Sequence, residues 1–255
     1  MSPFAVLPVR TPTLPPATHT NVYRLGDCVI DPASPEPREQ ERVLAWAGKV
    51  GRILLTHHHA DHIGGVEALA AATGAPVWAH ADARVPFPVH HRIHDGDLID
   101  TGAGTLVALH TPGHADGHLA YQLVNTGHII AGDLVAGEGT IVLLQPEGDL
   151  QRYLDSLARV RALADTLWPA HGPPQPASLA DAYIAHRHHR TAQFLNVLRA
   201  GEPDRTLMAD QIAAMVYSGL PGVNLQLAAM QVHTHLLWLA ERGQARSVGE
   251  AWAAA

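Results

Sequence analysis

The chain is poor in cysteine, in charged residues and in uninterrupted apolar segments. Cys28 is the single cysteine, so no internal disulfide bond can form, and we expect a reducing, cytoplasmic location. Only 16% of the 255 residues are charged, and the net charge of −7 argues against general attraction to polyanions. The uncharged stretch 211–240 is interrupted by glycine and proline around 219–222, which predicts two short helices and no membrane span.

Histidine, by contrast, is abundant, and its 19 copies outnumber the 17 lysines and arginines. The segment Thr56–Gly65 reads THHHADHIGG and follows an apolar run that predicts a buried strand. It contains an HxHxDH string of four side chains that can bind a metal: His57, His59, Asp61 and His62. Imidazole and carboxylate suit zinc when no thiolate is available, so the string predicts a metal site at the end of this strand.

Three further side chains of the same kind follow other predicted strands. His114 lies in TPGH, Asp133 in AGD and His171 in AHG, each close to a glycine that lets the backbone approach a crowded site. A catalytic zinc needs about three protein ligands and an open position for water. The HxHxDH string could therefore fill one metal site and begin a second, with these three residues supplying what is missing.

The remaining pattern divides the chain into two parts. Residues 1–200 hold the motifs, with a Pro-rich extended lead-in over 1–20. In residues 201–255, two helices and a short hairpin predict a winged-helix-like unit. Acidic residues outnumber basic ones in this unit, which argues against a reader of duplex DNA. Helices are predicted over 61–72, with Asp61 as N-cap, over 149–167, and over 178–200, with a Ser178–Asp181 capping box and Gly201 as the stop.

The series HxHxDH, TPGH, GD and PAHG, in this order, resembles the metallo-β-lactamase-fold superfamily of dinuclear metal hydrolases. The resemblance implies an α+β fold, an αββα sandwich of two mixed sheets flanked by helices. It also implies two Zn²⁺ ions as cofactors, with Mn²⁺ or Fe²⁺ as alternatives. Carried onto matching positions, it implies a first metal site of His57, His59 and His114, a second of Asp61, His62 and His171, and a bridging carboxylate from Asp133.

Two longer segments narrow the resemblance. Gly132–Leu143 and Ile184–Leu195 are similar to the lactamase-beta-2-like branch, which includes single-strand RNA endonucleases and fungal acyl-carrier thioesterases. The segment Ala115–His118 after TPGH resembles glyoxalase II, whereas Asp31-Pro32-Ala33 departs from the Asp-Thr-Gly turn of the family. The implied substrates are a small-molecule thioester, an acyl carrier or a short single-stranded RNA, and a homodimer is left open.

The chemistry predicted for such a site is hydrolysis of an ester-like bond. Two divalent metals bridged by a hydroxide lower the pKa of that water and create a nucleophile. We predict that Asp61 is the catalytic residue that orients the nucleophile and carries its proton to the leaving group. His186 and Arg187, within the basic segment 186–190, are candidate substrate contacts, with a solvated helix face as the alternative.

Other interpretations of the same residues remain open. His58 should point away from its neighbours and is predicted not to be a ligand, while His118 either supports the metal ligands by hydrogen bonding or merely starts a strand. A mononuclear iron oxygenase of the persulfide dioxygenase type, a β-lactam hydrolase and a non-catalytic binding module are alternative functions. The presence of Asp61, His62 and His171 favours two metals and hydrolysis.

Overall fold

Two six-stranded sheets form the centre of the molecule, which the computed structural model describes over residues 2–200 and 205–255. The first sheet has the spatial order β1 (Ala5–Arg10), β2 (His19–Leu25), β3 (Cys28–Ile30), β4 (Arg52–Leu54), β5 (Val77–His80) and β6 (His91–Ile93). The second has the order β12 (Gln175–Pro176), β11 (Thr166–Pro169), β10 (His128–Gly132), β9 (Leu119–Leu123), β8 (Thr105–His110) and β7 (Leu98–Asp100). Both sheets mix parallel and antiparallel pairs.

Helices cover the outer face of each sheet. The first sheet carries α1 (Pro37–Ala47), α2 (Ala60–Ile63) and α3 (Val66–Thr73), and the second carries α4 (Leu150–Leu163) and α5 (Leu179–Arg199). Residues 205–255 contribute α6 (Ala209–Tyr217), α7 (Leu225–Glu241) and a hairpin of β13 (Ala245–Val248) and β14 (Ala251–Ala254). These layers are the αββα sandwich that the sequence predicted.

Four apolar clusters hold the layers together. Tyr23, Leu54 and Ile130 belong to the cluster between the two sheets. A second cluster lies between the first sheet and α1 with α3, and a third between the second sheet and α4 with α5. The fourth joins the C-terminal half of α5, through Phe194, to α6, α7 and the hairpin. The helix α5 therefore packs against both the second sheet and the C-terminal unit.

Hydrogen bonds tie the two sheets together at one edge. The N–H of Asn21 donates to the carbonyl of Ala170 at 2.7 Å, and the N–H of Leu119 donates to that of Thr56 at 2.7 Å. Because β4, β8, β10 and β11 all lead into loops at this edge, the loops that carry the predicted ligands meet there.

Two glycines, Gly64 and Gly65, separate α2 from α3 where the sequence predicted one continuous helix. The N–H of Gly65 donates to the carbonyl of Pro32 at 2.7 Å, and a Cβ on Gly65 would lie 2.6 Å from that oxygen. This close backbone contact breaks the helix. His59 occupies the N-cap position of α2, so the N-cap role predicted for Asp61 is wrong.

Three other local predictions also need correction. The helix predicted over 149–167 ends at Leu163, because the residues from 166 onward pair in parallel with β10. Ser178 makes no side-chain cap hydrogen bond, so the predicted capping box does not form, and the helix stop at Gly201 lies outside the described residues. The lead-in 1–20 contains a regular strand, β1, which pairs with β2.

The C-terminal unit contains the two helices that the sequence predicted. Its hairpin, predicted over 243–248, instead pairs β13 with β14 and extends to Ala254. The assignment as winged-helix-like stays a prediction. Across the described part of the chain, every helix is too short or too polar to cross a membrane.

Candidate metal centre

The structure brings all seven predicted ligand side chains together at the edge where the sheets meet. They come from five places in the chain: His57 and His59 from the loop after β4, Asp61 and His62 from α2, and His114, Asp133 and His171 from the loops after β8, β10 and β11. Most of them are buried, and His57 and His62 have no exposed surface.

The first group consists of three imidazoles whose nitrogens face one another. His114 Nε2 lies 2.9 Å from His59 Nδ1 and 3.3 Å from His57 Nε2, and the last two atoms are 3.0 Å apart. Zinc–nitrogen bonds of about 2.0–2.1 Å in a tetrahedral site would place ligand atoms roughly 3.3 Å apart. The spacing of the three nitrogens therefore suits a shared cation.

Hydrogen bonds on the far sides of these rings place their protons away from the centre. His114 Nδ1 donates to the carbonyl of Val142 at 2.8 Å. The hydroxyl of Thr56 donates to Asp31 at 2.6 Å and so accepts from His57 Nδ1 at 3.0 Å. In both imidazoles Nε2 is left with a lone pair that faces the centre, as a metal ligand requires.

The second group contains Asp61, His62 and His171. His171 Nε2 lies 3.6 Å from Asp61 Oδ2, while its Nδ1 donates to the carbonyl of His19 at 3.0 Å. His62 Nδ1 donates to Asp31 Oδ2 at 2.9 Å, which leaves Nε2 facing inward. One carboxylate oxygen and two imidazole nitrogens thus converge in a second cluster.

Asp133 stands between the two groups. Its Oδ2 lies 3.4 Å from His114 Nε2 in the first group, and its Oδ1 lies 3.5 Å from both His62 Nε2 and His171 Nε2 in the second. Each oxygen of the carboxylate therefore faces a different group of imidazoles.

Burial, followed by the neighbouring imidazoles, lowers the pKa of His57 well below its ordinary value and that of His59 to about 3. Burial also lowers the pKa of His114. The three imidazoles of the first group are therefore neutral at neutral pH, which is the form that binds a metal.

The electrostatics of the second group are governed by Asp133. Burial alone would lower the pKa of His62 and His171, but Asp133 raises both, that of His62 well above its ordinary value. Burial alone would raise the pKa of Asp133, yet His62 and His171 hold it well below its usual range. Asp133 is therefore an anion in a buried site, where it attracts a positive charge.

The donor set fits divalent cations. His62 Nε2 and Asp133 Oδ1 are buried without a hydrogen-bond partner in the described part of the chain. Such unpaired groups are costly, and a cation between them would satisfy both. The residues present offer nitrogen and oxygen ligands and no thiolate, which suits zinc, iron or manganese.

Asp31 supports the candidate site by hydrogen bonds, a role that its place in the sequence did not predict. Its Oδ1 accepts the N–H of Thr56 at 2.7 Å, and its Oδ2 accepts from the Thr56 hydroxyl and from His62 Nδ1. The carboxylate thereby fixes the orientation of His62 and of the loop that carries His57. The available signal was an acidic residue at the end of β3, the strand that pairs with β4.

His118 supports the site and is not one of the converging groups. Its Nε2 accepts the N–H of Asp133 at 3.0 Å, and its Nδ1 is bonded to the Thr111 hydroxyl at 2.9 Å. The preceding Gly132 has φ of +51°, and a Cβ there would lie 2.6 Å from His118 Nε2. Of the two roles predicted for His118, the structure shows the hydrogen-bonding one.

His58 lies beside His59 and close to Glu147, and these three form a separate candidate metal group, so the prediction that His58 is not a ligand stays a prediction. Its Nε2 lies 3.3 Å from Glu147 Oε1, a residue of the loop between β10 and α4. Arg84 approaches the same carboxylate oxygen at 3.4 Å. His58 thus connects the histidine string to a neighbouring loop.

A cavity of about 340 Å³ opens over the ligands. Its walls come from the ligands themselves, from residues 12–14 and 17 near the N-terminus, and from the segment Glu138–Leu144. His59, Asp61, His114, Asp133 and His171 all contribute to its surface. A substrate in this cavity would lie directly against the converging nitrogens and oxygens.

The basic segment 186–190 is only partly a solvated face. Arg187 is 6% exposed, and its guanidinium donates to the carbonyl of Ile141 at 2.6 Å. His186 is exposed, and both residues line a second cavity beside the first. The structure does not bring them to the metal ligands, and their contact with substrate stays a prediction.

Residues 18–171, which include all seven converging side chains, match the Metallo-beta-lactamase superfamily. The chain belongs to this superfamily. It is 33% identical over 224 residues to hydroxyacylglutathione hydrolase of Rhodobacter capsulatus, covering 79% of this chain and 86% of that protein. It is 30% identical over 213 residues to the beta-lactamase-like protein 2 homolog of Drosophila melanogaster, covering 77% and 70%.

A solved structure shares the fold over the whole length of this superfamily member. The metallo-beta-lactamase family protein TTHA1429 from Thermus thermophilus superimposes with a TM-score of 0.84 at 23% identity, covering 99% of each chain. The family and the α+β fold predicted from the sequence are therefore confirmed. The hydrolases among its relatives also confirm the prediction of an enzyme of the hydrolase class.

Proposed function

We propose that the protein is a dinuclear zinc hydrolase of thioesters. The carboxylate of Asp133 carries the proposal, because its two oxygens face two separate groups of imidazoles at 3.4–3.5 Å. In this proposal His57, His59 and His114 would hold one ion, Asp61, His62 and His171 would hold the other, and Asp133 would contribute its carboxylate to both sites. Two bound divalent ions would lower the pKa of water and polarise the carbonyl oxygen under attack.

The side chains supply orientation and proton transfer. Asp61 lines the cavity beside His171 and accepts the proton of the attacking water, because its carboxylate is the partly exposed oxygen ligand of the second group. The water oxygen bonds to the acyl carbon as the carbon–sulphur bond breaks, and the proton passes from Asp61 to the thiolate. Asp31 and His118 hold His62 and the Asp133 backbone in place during these steps.

Thioesters are favoured over RNA for two reasons. Relatives at 33% identity are named hydroxyacylglutathione hydrolase, and the acyl group of hydroxyacylglutathione is joined through sulphur. The net charge of −7 also opposes a long polyanionic substrate. A cavity of about 340 Å³ suits a small thioester or the acyl-thioester end of the arm of an acyl carrier.

Residues 1–200 form the catalytic part in this proposal, and residues 201–255 form a winged-helix-like unit beside it. The single buried cysteine is compatible with the cytoplasmic location that we propose. Neither the membrane nor duplex DNA is a proposed partner.

The test combines metal analysis with a substrate screen. Protein purified without chelator should contain about two equivalents of zinc per chain. The zinc-loaded protein should hydrolyse acyl thioesters faster than single-stranded RNA or a β-lactam. One equivalent of iron together with persulfide oxidation would replace this proposal by the mononuclear oxygenase, and preferential cleavage of RNA would reject the thioester assignment.

A further inference from the structure

A second cavity, of about 300 Å³, lies between α5 and the helices α6 and α7. It shares two wall residues, Thr140 and Val142, with the cavity over the metal ligands. The carbonyl of Val142 accepts from the ligand His114, so the shared wall is directly joined to the first metal group. An elongated substrate could therefore occupy both cavities across this wall.

The second cavity is lined by basic side chains. The charge comes from Arg187 and Arg190, which project from α5 on this side. The imidazoles of His186 and His235 also line the cavity, but burial lowers the pKa of both. Among the described residues that line the cavity, none is acidic. This local charge is opposite to the overall charge of −7 and predicts a negatively charged ligand.

Both guanidinium groups keep an N–H without an acceptor. Arg187 donates to Ile141 and to Gln231 Oε1, at 2.6 and 3.4 Å, but its Nε is buried and unpartnered in the described part of the chain. Arg190 donates to Gln193 and lies over the Tyr217 ring at 4.6 Å, and its Nε is unpartnered in the same way. Buried donors without acceptors are costly, and both belong to guanidinium groups of residues that line the same cavity, which favours an anion bound there.

We propose that this cavity binds an oxyanion, a carboxylate or phosphate, carried by the thiol half of the thioester. Guanidinium groups suit both anions because their planar donors match the paired oxygens. The inference rests on the proposed thioesterase function and adds to it the charge of the substrate. It also moves the main predicted contact from His186 and Arg187 to Arg190, because Arg187 is almost fully buried whereas the Arg190 guanidinium is only half-buried.

The experiment compares three thioesters with the same acyl group. The first is carried by N-acetylcysteamine and is neutral, the second by glutathione with its carboxylates, and the third by phosphopantetheine with its phosphate. The zinc-loaded protein should hydrolyse at least one anionic thioester with a kcat/KM about tenfold higher than the neutral one. Which of the two is preferred distinguishes a carboxylate site from a phosphate site.

The variant Arg190→Gln should lower the ratio of anionic to neutral kcat/KM about tenfold, because a charge-assisted hydrogen bond is lost. Arg190→Lys should restore part of the ratio. The matched control is Arg199→Gln, an exposed arginine of the same helix outside the cavity, which should keep the wild-type ratio. Thermal unfolding and zinc content, measured for every variant, identify any loss that comes from misfolding.

Calorimetric binding of free glutathione and phosphopantetheine gives a readout that does not depend on turnover. If neither thiol binds, or if both bind Arg190→Gln as tightly as the wild type, the inference is wrong. If a thiol binds through Arg190 but no thioester is hydrolysed, the proposed function fails and the anion site stands. Binding of an RNA oligonucleotide in place of both thiols, lost in Arg190→Gln, would also overturn the inference.

Discussion

Most of the buried histidines lie in the candidate metal centre, and one, His235, lies in the helical layer formed by α5 and α7. In the helical layer, His235 Nδ1 is bonded to the Thr191 hydroxyl at 2.6 Å, and that hydroxyl donates to the carbonyl of Arg187. In the metal centre, His57, His59 and His114 direct nitrogens at one another. Burial is common to both regions, but the metal centre alone presents imidazole nitrogens to each other.

A strongly lowered histidine pKa occurs in both regions. Burial lowers the pKa of His59 to about 3, with help from other imidazoles. It lowers the pKa of His235 to about 3 as well, with help from the Arg187 guanidinium. The same downward pKa shift thus occurs at a candidate metal ligand and at a histidine that fills a helix interface. The two cases differ in whether imidazole nitrogens face one another, as they do in the metal centre.

The largest expected effect concerns the metal centre alone. Asp61→Ala should lower kcat about a thousandfold, because it removes a ligand together with the proposed proton carrier. Its carboxylate lines the cavity and lies 3.6 Å from His171, so little packing is lost and the fold should persist. Steady-state kinetics and thermal unfolding measure the two effects.

The matched control for Asp61→Ala is Asp155→Ala, which removes an exposed carboxylate from α4. If Asp61→Ala keeps near-wild-type turnover, this residue is no different from a surface carboxylate and its catalytic assignment is wrong.

A smaller effect, on zinc affinity, is expected from changing Asp31, whose carboxylate accepts from the candidate ligand His62. Asp31→Asn should weaken zinc binding about 10- to 100-fold, because an amide holds the His62 proton less strongly than a carboxylate does. Asp31 has φ of +51°, a conformation that asparagine also adopts readily, so the substitution changes charge with little backbone strain. Competition with a chromophoric chelator measures the affinity, and the exposed Asp100→Asn is the control. Equal affinities for Asp31→Asn and the wild type would show that His62 does not need this partner.

The third expected effect is a pH dependence of the unfolding free energy that comes from His235 in the helical layer. His235 is neutral when folded, because its pKa of about 3 lies below the value of about 6.5 in an unfolded chain. Between these values the unfolded state binds more protons, so stability falls as the pH falls. From pH 7 to pH 5 this group should cost about 2 kcal/mol of unfolding free energy.

Urea unfolding of His235→Gln at pH 7 and pH 5 tests this contribution. The pH dependence should be about 2 kcal/mol smaller than in the wild type, whereas His189→Gln, exposed on α5, should leave it unchanged. Equal dependence in His235→Gln would mean that His235 is not the buried neutral group that the comparison requires.

Much of the metal centre could be predicted from the chain because its ligands follow strand ends in recognisable motifs. The HxHxDH string and the later His114, Asp133 and His171 are local patterns, and the structure brings them together. Apolar periodicity likewise predicted helices around them, whereas the arrangement in two sheets was implied by the resemblance to the superfamily and not by periodicity.

The features that were missed depend on contacts between distant segments. At Gly64-Gly65 the two glycines were a local signal of a break, but the contact with the Pro32 carbonyl that accompanies it comes from a distant segment. Asp31 was noted in the sequence only within a turn that departs from the family pattern, and its contact with His62 depends on the fold. Arg187 belonged to a run of basic residues, and its burial depends on the segment after β10. Local periodicity carries no information about such partners.

The segment Ile141–Leu143 receives hydrogen bonds from both regions of the molecule. Val142 accepts from His114, while the carbonyls of Ile141 and Leu143 accept from Arg187 of α5 and Thr234 of α7. The C-terminal unit consequently cannot be exchanged without affecting the segment 141–143. A chimera that exchanges α7 for that of a relative must therefore also exchange residues 141–143. Otherwise the new helix would disturb the segment that accepts from the candidate metal ligand His114.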